Sequence, residues 1–331
     1  MRRPDLRPLA VAALSLAALV PSTGASAAGG ASVATRAAAG DLAAIRAATA
    51  AAQRSGFRAV ERDPRGTEPG SQVTTYDAVR YAAHVVSTSV DGVEDRLEVR
   101  HVGVYYRLDA EDRPALRLMH RPGATHALDP DPRQTLAIAD DEPTSQLGGL
   151  RQTDVRSVRR RVDGTTLLVL QRHSPADRLT LVVGRGGALA RVVAAPTETS
   201  AWSASFSYGA HVGLPDRRRV VGLQRLLQAK AAPELGDEVA QAATCSAAYA
   251  NAVADRQTRA VGPADLATGV AAVRRGVADL AIPLRFARTP DGWSIAATDP
   301  FTRVTHRSSV SLSDGTLVVV GGSSADPALV C

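Results

Sequence analysis

"FSYGAHVGLPDRRRVVGLQRLLQAK", Phe206 to Lys230, begins as a strand and ends as a helix. Around its start, Trp202, Ala204, Phe206 and Tyr208 alternate with Ser203, Ser205 and Ser207. A period of two places the first set on one face of a strand and the serines on the other. Pro215 cannot continue a ladder. Leu223, Leu226 and Leu227 then recur at helical spacing until Ala231-Ala232-Pro233 stops the helix. A helix with one leucine face, placed directly after a final strand, is expected to pack on the sheet it leaves.

Upstream, from Val73 to Gly209, the same period of two recurs. Asp91-Gly92 and Asp163-Gly164 read as hairpin turns, and "SPAD" and "GRGG" separate two further strands. Leu179, Leu181 and Val183 share one face, Arg178 and Thr180 the other. Short turns demand antiparallel neighbours, so this is a meander with one buried and one wetter face. Before it, Asp41 caps a helix to Ser55, carrying Leu42, Ile45, Ala48 and Ala52 and stopped by Gly56. After Gly236 comes a second unit. Gly262-Pro263 opens a helix with Leu266, Val270, Val273, Val277 and Leu280, and three or four strands follow with turns at Asp291-Gly292 and Asp314-Gly315. The fold class expected is α+β: a large curved antiparallel meander with helices at its two ends, and a smaller α+β domain.

The first residues read as a targeting segment. Arg2, Arg3 and Arg7 precede an apolar run, Leu9 to Val20, and Ala25-Ser26-Ala27 supplies a small-residue exit. A spanning helix needs about 20 apolar residues, and Pro21 argues for cleavage near Ala27 over a retained anchor. The domains expected are thus residues 1–27 (signal peptide), 28–40 (linker), 41–235 (meander) and 236–331 (small α+β domain). Export makes the two cysteines, Cys245 and Cys331, a disulfide pair fastening the last residue to the start of the final segment. Free or intermolecular thiols are the alternative.

Charge is ordinary in amount and odd in kind, since Lys230 is the only lysine. Codon bias in a GC-rich genome explains this better than any arginine-specific function. The formal +6 becomes +4 once three arginines and one aspartate of the first segment are set aside. The candidate basic face is "VRSVRRRV", Val155 to Val162, and its valines read as an edge strand with solvated arginines. Nucleic acid is therefore not an expected partner.

Catalytic and metal signatures are absent. Seven histidines are scattered, with no i, i+4 pair around a glutamate. "GRGGAL" lacks the Lys-Ser/Thr of a phosphate loop and opens a strand. "DPDP" and "ADDE" lack calcium-loop spacing and read as solvated loop. No nucleophile elbow exists. The reading is a non-enzymatic protein with no cofactor. Its apolar meander face encloses either a filled core, which composition favours, or a cavity lined by small aliphatic groups suited to acyl chains.

The order of first helix, "YDAVRYAAHVV", long meander, "VGLP" strand end and closing helix resembles the bacterial lipoprotein-carrier half-barrels. That superfamily includes the LolA carriers, the RseB/MucB sensor domains and the LppX/LprG lipid-binding proteins. The resemblance covers Asp41 to Pro233 and departs from the anchored members in having no lipobox cysteine. It implies an exported carrier or sensor of the cell envelope, peripheral to the membrane at most, that binds a lipid or acyl chain. Trp202, Phe206, Tyr208, Leu179, Leu181 and Val183 are then the candidate ligand-binding residues. One alternative is an envelope-stress regulator docking a membrane-anchored anti-sigma-type partner through Arg156, Arg159, Arg160 and Arg161. A secreted hydrolase with an unrecognised site is another.

Overall fold

The computed structural model describes residues 41–64, 70–138, 141–171, 178–196, 201–321 and 331. The expected signal segment, the linker to Gly40 and the Ser174–Asp177 turn lie outside them. A large, mostly antiparallel sheet and a separate four-stranded sheet make the protein α+β. Among the described residues, no helix is long and apolar enough to cross a membrane. In chain order the first half runs α1 (Leu42–Gln53), β1 (Phe57–Asp63), β2 (Gly70–Asp77), β3 (Ala82–Ser89), β4 (Gly92–Val99), β5 (Gly103–Arg107), α2 (Arg113–Leu118) and β6 (His126–Pro130). Next come β7 (Val155–Arg160), β8 (Thr166–Gln171), β9 (Arg178–Val183), β10 (Leu189–Ala194), β11 (Ser203–Tyr208) and β12 (Val220–Gly222). The last part comprises α3 (Leu223–Ala231), α4 (Leu235–Arg256), α5 (Pro263–Gly276), β13 (Arg285–Thr289), β14 (Gly292–Thr298), β15 (Thr305–Ser313) and β16 (Thr316–Val320).

The chain forms two compact units, and they are not consecutive domains. One takes the described residues up to Asp95 together with Thr135–Val212; the other takes Arg96–Gln134 and Gly213–Cys331. The boundary expected at residue 235 falls inside the second unit. Ala231 and Ala232 pack in the same cluster as Leu235 and Val239, so the chain runs from α3 into α4 without leaving one core.

In the first unit the strand order is β3-β2-β1-β11-β10-β9-β8-β7. The last strand returns to the first: Phe57 lies opposite Tyr208 and Ala59 opposite Phe206. β1 is thus an interior strand, although the period-two reading began only at Val73. Phe57–Asp63 alternates only as far as Ala59 before Val60, Glu61, Arg62 and Asp63 blur the pattern, so it does not announce itself. The buried face is assembled by register. Leu168 opposes Leu181, Leu181 opposes Val192, and Val192 opposes Ala204, giving one row of buried side chains across four strands. Leu42 and Ile45 of α1 and the nearby Leu147 and Leu150 pack on this face. "YDAVRYAAHVV" is not one strand. Asp77 ends β2 by accepting the N–H groups of Val79 and Arg80 at 3.0 and 3.1 Å, and Tyr81 takes a left-handed φ of 47° before β3.

In the second unit β12 joins β6 in parallel, Val221 beside Ala127. That pairing decides where α3 goes. Its Leu226 and Ala229 pack with Ala115 and Leu116 of α2, Ala127 and Val221. The helix therefore packs on strands β6 and β12 of the large sheet, in keeping with the expectation for a leucine-faced helix that follows a strand. Three residues of strand are enough to set where on that sheet it lies. α4 and α5 pack on the sheet β13-β14-β15-β16, with Leu235, Val239, Ile295 and Ala297 in one cluster and Ala250, Leu266, Val270 and Val310 in another. The Asp314-Gly315 turn has φ of 49° and 74° at its two residues, as a tight antiparallel hairpin requires. Cys245 on α4 is disulfide-bonded to Cys331.

Candidate functional site

Trp202, Phe206, Tyr208, Leu179, Leu181 and Val183 all belong to one cluster, with Leu42, Ile45, Leu147 and Leu150 packed among them. Leu181 is 0% exposed, Val183 3% and Phe206 8%, while Leu179, Trp202 and Tyr208 are partly buried. In this state the face is filled by side chains of the protein itself.

What covers the face is also held through polar contacts that the sequence reading did not anticipate. The Arg46 guanidinium donates to the carbonyls of Leu147, at 3.0 Å from Nη2, and Leu150. The Leu42 N–H donates to Gln152 at 3.0 Å, and Thr144 donates its hydroxyl to Gln53 at 3.0 Å. Thr49 is buried. It donates to Ile45 O at 2.7 Å and accepts the N–H of Leu189 at 3.0 Å. Tyr208 donates to Leu189 O at 2.6 Å, and burial pushes its phenol up to about 12, so the neutral form persists across ordinary pH. The one legible trace was Thr49 standing on the buried stripe of α1 with Leu42 and Ile45.

On the same face of the sheet, where Thr74 lies opposite Ala59, Asp141 of the "ADDE" run is buried and accepts from Thr74 at 2.6 Å and Gln72 at 2.9 Å. This carboxylate is a structural tie, not part of a solvated loop. Among the described residues, no group of three or more His, Cys, Asp or Glu could hold a metal ion. Arg156, Arg159 and Arg160 lie exposed on β7, an edge strand paired with β8 alone, and Arg161 closes the hairpin by donating its N–H to Thr165 O at 2.8 Å. Charges on an edge strand discourage pairing with other chains.

The turn that ends β2 carries a pH dependence. Burial pushes the Asp77 carboxyl up, but the N–H groups of Val212, Arg80 and Val79 and the nearby His211 outweigh it and hold it below 3.8. Asp299 behaves alike: burial raises it, and Thr302, Phe301 and His306 bring it net lower. A carboxyl lower in the folded than in the unfolded chain stabilises fully above its unfolded value. That contribution disappears as pH falls through the folded value. Urea midpoints should therefore be level near about pH 6 and fall below about pH 4, and Asp77→Asn should flatten the fall. A midpoint independent of acid in the parent protein would contradict this assignment.

No protein-family model matches this chain, and no curated protein matches it. Among solved structures it is similar to an uncharacterized conserved protein from Thermus thermophilus, with 10% identity and a TM-score of 0.28 over 54% of this chain and 98% of that one. A likeness that distant carries no inference about function.

Proposed function

We propose that this is an exported, non-enzymatic binding protein of the cell envelope, a half-barrel carrier or sensor for a lipid or other acyl-chain ligand. The observation that carries the reading is the covered meander. Its last strand returns to its first, and its apolar face is capped by one helix and a short segment tied down by Arg46, Gln53 and Gln152. Lifting that cover breaks no strand ladder, and the cost of exposing its four buried apolar side chains would be met by a ligand that buries the same face. Lifting Leu42, Ile45, Leu147 and Leu150 would bare Trp202, Phe206, Tyr208, Leu179, Leu181 and Val183 to a ligand. Each acyl methylene buried there would contribute about 0.8 kcal/mol. Native mass spectrometry of protein purified from an envelope fraction, followed by organic extraction, should recover an acyl lipid. A mass that stays apo after incubation with envelope lipids would sink the reading.

A second reading has one observation of its own, the exposed edge strand β7 with Arg156, Arg159 and Arg160 and the adjoining Arg161. This edge would dock an acidic segment of a membrane-anchored regulatory protein. Co-purification that is lost in Arg159→Glu/Arg160→Glu and kept in the parent would favour it. Equal recovery of the partner with both proteins would count against it.

A further inference from the structure

The second unit contains an open cleft of about 470 Å³. It lies where the end of α2, the β12–α3 junction and the loop after Asp299 meet, and its walls carry Arg121, Arg225, Arg303 and His120 with Phe301 and Val221. Ligand clefts run from roughly 300 to 1,000 Å³. Three guanidinium groups and an imidazole line this one, and no carboxylate does.

The parts are fixed in place. The Arg121 guanidinium donates to Arg218 O at 2.9 Å and Val220 O at 3.1 Å. Arg225, in the first turn of α3, stands with its guanidinium carbon 4.0 Å from the centroid of the Phe301 ring. Asp299 holds the loop by accepting from Phe301 N at 2.7 Å and the Thr302 hydroxyl at 2.6 Å. His120 and Arg303, both in the lining, have φ of 55° and 64°, a region ordinary residues seldom enter.

We propose that this cleft binds a phosphate-headed ligand bearing an apolar or aromatic part. A guanidinium presents a planar fork of donors that matches phosphate oxygens, and several without a carboxylate suit a doubly charged head. Phe301 and Val221 provide the apolar wall, and Arg225 is already ordered against the ring before any ligand arrives. Every residue belongs to the second unit, so the inference does not rest on the half-barrel reading.

The test is calorimetric titration of the full chain with phenyl phosphate. Binding is expected, weakened about 10-fold or more in Arg225→Gln/Arg303→Gln. Arg274→Gln/Arg275→Gln removes the same charge from the end of α5, outside the cleft lining, and should bind like the parent. Should the double variant fail to fold, Arg303→Gln alone, at an exposed loop residue, is read the same way. Inorganic phosphate should bind more weakly than phenyl phosphate, and equal affinity would overturn the apolar part of the proposal. Sedimentation with phosphatidic acid vesicles, over phosphatidylcholine alone, would assign the head to a lipid. Phenyl phosphate binding without sedimentation would assign it to a soluble ester, and either supports the cleft. No heat with phenyl phosphate, or equal weakening by the two double variants, overturns it. An acyl lipid recovered by mass spectrometry in that case would leave the half-barrel reading standing.

Discussion

Replacing Cys245 and Cys331 together by alanine is expected to lower the unfolding free energy of the second unit by about 2–5 kcal/mol. The bridge spans 86 residues and ties the end of the chain to the middle of α4, where Cys245 is buried among Val239, Ala242 and Ile282. For so long a span the chain-entropy model gives about 4–5 kcal/mol, and measured losses commonly fall below that figure. The Tyr249 hydroxyl also donates to Cys331 O, so release of the terminus loses a hydrogen bond as well. The protein supplies its own reporter. Of its two tryptophans, Trp202 lies on the first unit's core and Trp293 on β14 of the second. Denaturant titration of Trp202→Phe, followed by the remaining tryptophan, should therefore show a lower midpoint in the alanine variant or with reductant. Coincident oxidised and reduced curves would mean that the bridge constrains nothing.

The second large effect is expected at Gly269→Ala, a loss of about 1–3 kcal/mol from the same unit. A Cβ there would stand 2.3 Å from the carbonyl oxygen of Ser246 and 2.9 Å from the amide nitrogen of Ala250. Both are backbone atoms of α4, so no rotamer change relieves the clash and the helices must separate. Gly276, at the end of the same helix, has open space around its Cβ position. Gly276→Ala should be neutral or stabilising by up to about 1 kcal/mol, because alanine restricts the unfolded chain and favours helix. Opposite signs from one substitution at two sites of one helix would tie the loss to contact between α4 and α5. Equal effects would leave helix propensity as the cause.

Much of the architecture was legible because it is local. Ser203 to Tyr208 alternates as a half-buried strand should, and the Asp163-Gly164 and Asp314-Gly315 pairs mark hairpins that the structure contains. Asp41 and Gly56 bracket α1 because capping chemistry acts within a few residues. The rest depends on partners far along the chain. α4 was not read at all, since alanines lie on all its sides and its buried stripe is built largely from alanine, serine and Cys245. Composition hides such a helix, because small residues show little contrast between faces. The destination of α3 is set by Val221 beside Ala127, a parallel pairing with no local signature. For the meander face, the residues were legible and their cover was not: the hold of Arg46 on Leu147 joins positions separated by several strands of sequence. The cleft residues are more scattered still, and no spacing joins His120 to Arg225 and Arg303.

The interleaving of the two units has a consequence for how the protein comes into being. β1 emerges early, but its partner β11 is the last strand of the first unit to be synthesised. While Arg96–Gln134 is being made, the open side of β1 has no native neighbour, and unpaired strand edges invite association with other chains. The native contacts of that edge are non-local, which makes their formation slow. Neither unit can be obtained as one uninterrupted fragment of the gene. A fragment ending at Asp95 lacks β11, and one beginning at Gly213 lacks β6, the partner of β12. Each half closes only when a strand made much later joins it, so a factor that shields β1 while the chain is being made would guard the edge that β11 later covers.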